Sequence, residues 1–149
     1  MNSAMRLGRS TPRQTDAALL VLRLFTGFVL IYGTQDNVFD HERMLEFRNF
    51  VAKNGFPAPV FSAYLSAYAQ FIGGILMALG LVTRCAALVM VINFVVALAM
   101  VHRGLPFSAN ISPLAMLFNA VCLLVAGAGA YSVDALIARQ MRARTPGGS

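Results

Sequence analysis

The chain has 149 residues, 58% of them hydrophobic and only 12% charged, about half the charge of a soluble domain. With a mean hydropathy of +0.67, this describes an integral membrane protein of one compact unit. The net charge of +6 does not mark a nucleic-acid binder, because the basic residues flank apolar segments instead of forming one basic face. Membrane lipid is the first expected partner.

Four apolar stretches, residues 17–33, 60–81, 85–101 and 111–130, each have the length that crosses a hydrocarbon core of about 30 Å as a helix. Strict alternation is missing, and a lone spanning strand would leave its backbone unpaired in lipid. The expected fold is all-α: a four-transmembrane-helix bundle with a short amphipathic helix in its first outer loop. Residues 1–16 read as a basic tail, 17–134 as the membrane domain, and 135–149 as a basic, partly disordered tail with 145–149 disordered.

Arg6, Arg9 and Arg13 precede the first span, Arg84 follows the second, and Arg139, Arg142 and Arg144 follow the fourth. All fall on one side if the spans alternate, and the other side sets Arg43, Arg48, Lys53 and Arg103 against Asp36, Asp40, Glu42 and Glu46, so both termini are expected in the cytoplasm and the loops 34–59 and 102–110 outside. No small-x-small cleavage site follows the first span, which reads as an uncleaved anchor.

Arg23 interrupts the first span, where a charge costs about 2.5–3.5 kcal/mol on insertion scales. It lies ~9 Å inside the boundary, counted from residue 17. Either it snorkels, with Asp16 or Asp134 as counter-ion, or it is a fixed positive charge beside the head group of a bound ligand. In the first loop, Asp40 can cap a short helix carrying Met44, Phe47 and Val51 on one face, ended by Asn54-Gly55. That face rests on the membrane surface or bundle mouth, or forms a lid.

In the second span Ala63, Ser66, Ala67, Gln70, Gly73 and Gly74 share a face suited to close helix packing. Gln70 falls ~15 Å deep, with Asn93 and Asn119 each ~12 Å deep on the next two spans. The three amides form a candidate polar cluster, either for interhelical bonding or for a ligand. Asn119 shares its face with Ser112, Ala115, Cys122 and Ala126. His102 closes the third span, either as a proton relay or as an interfacial side chain. Nine residues from Asn93, it projects to the opposite side of an ideal helix. Cys85 and Cys122 lack the spacing of a disulfide scaffold or metal site. No haem, flavin, iron–sulfur or metal motif is evident.

The set Leu22-Arg23-Leu24, Gly27, residues 33–39, Asn54-Gly55-Phe56-Pro57, Gly73-Gly74, Gly80-Leu81-Val82-Thr83-Arg84, His102 and the closing G-x-G-x-Y-S-x-D run of 127–134 resembles the DoxX family of small bacterial membrane proteins. The resemblance spans about residues 17–134. It implies a four-helix protein of the bacterial cytoplasmic (inner) membrane, associated with quinone or a membrane oxidoreductase complex. It makes Asn37 and His102 further site positions. Family members often carry lysine where this chain has Asn37 and glutamate where it has Gln70, so both ionisable groups are replaced by neutral amides. The readings that follow are a redox-associated, quinone-linked subunit, a non-enzymatic scaffold or assembly factor, and a small transporter. A homo-oligomer is compatible with all three. The transporter reading lacks an acidic midplane residue and a broken helix.

Overall fold

A computed structural model describes residues 11–144, all helices and connections with no strand among them. The helices are α1 (Pro12–Phe39), α2 (His41–Lys53), α3 (Pro59–Leu79), α4 (Thr83–Met100), α5 (Phe107–Ala126) and α6 (Val133–Arg144). Four of them, α1, α3, α4 and α5, are long and apolar enough to cross a membrane. The fold class expected from sequence therefore stands: a four-helix membrane bundle with a short helix after the first span.

The helix ends do not coincide with the ends of the apolar stretches. α1 begins at Pro12, closed by a capping box in which Thr11 Oγ1 accepts from the Gln14 N–H and Gln14 Oε1 from that of Thr11. It runs on to Phe39, so the polar residues 34–39 are helix, not loop. α5 starts at Phe107 and ends at Ala126, because Gly127 and Gly129 turn the chain at positive φ. Residues 127–130 thus connect rather than span. Hydropathy marks where lipid lies, whereas hydrogen bonding decides where a helix runs. The expected C-terminal tail is helical as far as Arg144; the expected disorder of 145–149 and the basic Arg6 and Arg9 lie outside the described residues.

Two helix pairs make the bundle. α1 packs along α3 and α4 along α5, while α3 and α4 meet less extensively. At the α1–α3 crossing a Cβ on Gly27 would stand 2.6 Å from the Gly74 carbonyl oxygen and 2.8 Å from Ala78 Cβ, so the two backbones touch. Ala63, Ala67, Gly73 and Gly74 are buried, and Phe61, Tyr68, Ile72 and Leu79 on the other side of α3 face outward. Between the pairs lies a core of Leu30, Met77, Met90, Phe94, Met116 and Leu123. α2 begins at its Asp40 cap, which accepts from the Glu42 N–H at 2.9 Å. It buries Met44 and Val51 against Ala63 and Ala67 of α3. Its apolar face therefore sits on the bundle mouth.

Candidate functional site

The two places where a charge or polar cluster was expected to work are separate in space. Arg23 is 1% exposed, so it does not snorkel to water. Its Nη1 donates to the Ala128 carbonyl and its Nη2 to that of Tyr131, both at 2.7 Å. The guanidinium abuts Gly80, where any Cβ would overlap it and press on Ser132 Cβ. Arg23 is thus level with the α3–α4 turn and the loop 127–132, at the end of the bundle where three other spans stop. Two carbonyls of an irregular loop, which need donors once shielded from water, receive them from a cation that needs acceptors.

Neither expected counter-ion forms a salt bridge with Arg23. Asp16 Oδ1 accepts from the Ala130 N–H at 2.8 Å, and the Asp134 charge acts on Arg23 from further off. Asp134 spends its oxygens on α4: Oδ1 accepts from the Val82 N–H (2.8 Å) and Oδ2 from the Thr83 N–H (3.1 Å). Val82 sits at φ +43, a conformation that disfavours a β-branched residue. The carboxylate caps α4 from another segment and holds this strained turn. Asp134→Ala is expected to lower stability by roughly 0.5–2 kcal/mol, the range for losing a helix cap. Adding Val82→Gly to that variant recovers part of the loss by relieving φ; thermal unfolding in detergent reads both.

The second place is a cleft of about 760 Å³ between α3 and α4, roofed by α2, with Leu105 of the α4–α5 connection and Pro113 of α5 lining it at the same end. Its walls follow helical spacing: Ser62, Leu65, Ser66, Ala69 and Gln70 from α3, and Val89, Ile92, Asn93, Val96 and Met100 from α4. Phe47 and Phe50 of α2 form the roof. Leu65 and Ile92 are each 56% exposed, so the cleft opens sideways toward lipid.

Near the middle of α3 and α4 the wall is polar. Gln70 Nε2 donates to Ser66 Oγ (3.1 Å), and the Ser66 hydroxyl donates to Asn93 Oδ1 (2.8 Å). This chain leaves the Asn93 amide N–H groups and the Gln70 carbonyl oxygen uncommitted. His102 also lines the cleft, its Nδ1 buried and without a partner. The ideal-helix projection that set it opposite Asn93 fails because α4 stops at Met100. The His102 N–H donates back to Ala97 (3.2 Å), a wider turn that carries the ring round.

The remaining expected residues lie elsewhere. Asn119 is half-buried, makes no hydrogen bond and does not line the cleft; Ser112, Ala115, Cys122 and Ala126, which share its side of α5, are exposed. Asn37 lines a separate shallow polar cleft with Asp36 and the Arg43–Glu46 ion pair (3.1 Å), and no bond joins it to Gln70. Cys85 and Cys122 are free and exposed. Among the described residues no group of three or more His, Cys, Asp or Glu is placed to hold a metal ion. Ser66, which links the two amides, was the part that single-residue reading did not put in the site, whereas the α2 face with Phe47 was one of the expected lids. The serine's four-residue spacing from Gln70 was the available signal.

No curated protein and no solved structure matches the chain. The DoxX family model does match, over residues 18–103, from the start of the first span through His102 and including both cleft walls. On that match, which covers more than half of its length, the chain belongs to the DoxX family.

Proposed function

We propose that this chain binds a lipid-soluble quinone in the α3–α4 cleft and serves a redox complex of the bacterial inner membrane, its termini in the cytoplasm. One observation carries the reading: an apolar, laterally open cleft whose polar end, Gln70–Ser66–Asn93, keeps hydrogen-bonding capacity in reserve. Its volume falls within the range of about 300–1,000 Å³ usual for small-molecule sites. The donor set fits such a ligand. The Asn93 amide donates to a ring carbonyl, the Gln70 carbonyl accepts from a ring hydroxyl, and the His102 ring lines the cleft toward the α2 side. Val89, Ile92 and Leu65 line the way to the acyl chains for an isoprenoid tail. The bound ring would supply the redox chemistry, and these residues orient it and exclude water. The basic residues at the α6 end, Arg13, Arg84, Arg139 and Arg142, support a cytoplasmic placement of both termini.

Protein extracted in mild detergent is expected to carry quinone, measured by mass spectrometry as moles per mole of chain. Asn93→Leu is expected to lower occupancy about ten-fold, the equivalent of one hydrogen bond, and Ala69→Phe to empty the cleft by filling it. Wild-type protein free of quinone, or equal occupancy in all three, overturns the reading.

The neutral Gln70 favours a second reading, a non-catalytic assembly factor, since an amide at that position does not titrate near neutral pH. Co-purification of a stable protein partner with a quinone-free cleft supports it.

A further inference from the structure

Among the described residues, none of the 12 that form α6 is buried, and no other helix packs extensively along it. An isolated helix this short is marginal in water. Its sequence is nonetheless amphipathic: Val133, Leu136 and Ile137 recur at helical spacing, with Leu136 55% and Ile137 42% exposed. Arg139 borders that arc and Arg142 lies on the opposite, polar face, and the helix has one acid, Asp134, which is committed to the start of α4.

The position of α6 is fixed at its root. Ser132 Oγ accepts from the Ala135 N–H (3.1 Å), and the Asp134 N–H donates to the Gly80 carbonyl (2.9 Å). α6 therefore starts level with the turn between two membrane spans, where the hydrocarbon core gives way to headgroups. A helix with an apolar arc on one side and arginines at its edge and on its polar face complements, at that level, one surface: the boundary of a bilayer containing anionic lipid.

We propose that α6 lies in the headgroup layer of the adjoining leaflet, with Leu136 and Ile137 toward the acyl chains and Arg139 and Arg142 on the phosphates of anionic lipids. An acidic protein would match the arginines but leaves the apolar arc needing a second complement. The bilayer supplies both and is already adjacent. The root contacts then make lipid attachment a brace on the α3–α4 turn.

The test is amide hydrogen exchange of the full chain in nanodiscs of phosphatidylglycerol or of phosphatidylcholine, with α4 amides as the internal control for folding. In anionic discs α6 amides are expected to be strongly protected, and Arg139→Gln/Arg142→Gln to exchange roughly 25-fold faster, about five-fold per arginine. In phosphatidylcholine discs the two proteins are expected to exchange alike. Leu136→Ser/Ile137→Ser is expected to lose protection in both. Equal α6 protection of the wild type in the two lipids, or exchange at the unfolded rate in both, overturns the proposal.

Discussion

Arg23→Ala is expected to cost about 3 kcal/mol or more of bundle stability in the absence of any ligand. The variant removes two charge-assisted bonds, to Ala128 and Tyr131, each worth about 1.5–3 kcal/mol. It also leaves a void beneath Gly80 and two shielded carbonyls without donors. Arg23→Lys keeps the charge but not the fork, so one ammonium reaches one carbonyl at best; an intermediate loss is expected. Arg23→Met keeps volume and recovers packing alone. Thermal unfolding of quinone-stripped protein in detergent ranks the series. A purely ligand-binding arginine would leave this ranking flat and move only quinone occupancy.

The second large effect is expected at Gly27. A single methyl there meets backbone, the Gly74 carbonyl at 2.6 Å, and not the yielding end of a side chain. α1 and α3 must separate along the most extensive interface in the bundle. Gly27→Ala is expected to reach the upper part of the 1–3 kcal/mol range for overpacking, about 3 kcal/mol, and Gly27→Leu to prevent stable folding. Gly33, on the same helix, has nothing within 4 Å of its would-be Cβ. Gly33→Ala is therefore neutral or slightly stabilising, because alanine favours a helix over glycine by about 1 kcal/mol. Unfolding in detergent checks the contrast, and equal effects at the two glycines would refute the close crossing.

The spans and the small-residue face of α3 were legible in the sequence because both follow from helical period and lipid thickness. So were the Asp40 cap and the Asn54-Gly55 stop of α2, which are local signals. The job of Arg23 was not legible. A charge inside an apolar run reads as intramembrane, yet its depth depends on where the other helices end, and Gly127 to Ser132 come back to meet it across more than a hundred residues. Depth alone also grouped Asn119 with Gln70 and Asn93. Equal depth does not fix azimuth, and the core face of α5 belongs to Met116, Ala120 and Leu123. His102 was misdirected by extending α4 beyond Met100. α6 was missed as a helix because its apolar content is too low to span a membrane, although Val133, Leu136 and Ile137 already carried the period.

The polar residues fall into a knot around Arg23 and a separate cleft wall of Gln70, Ser66 and Asn93, for which quinone binding is proposed. Photolabelling with an azido-quinone, followed by peptide mass mapping, tests that division most directly. Label is expected on residues 62–70 and 89–102 and absent from 16–23 and 127–135. Label concentrated on the Arg23 knot, or no label saturable by unmodified quinone, would contradict it.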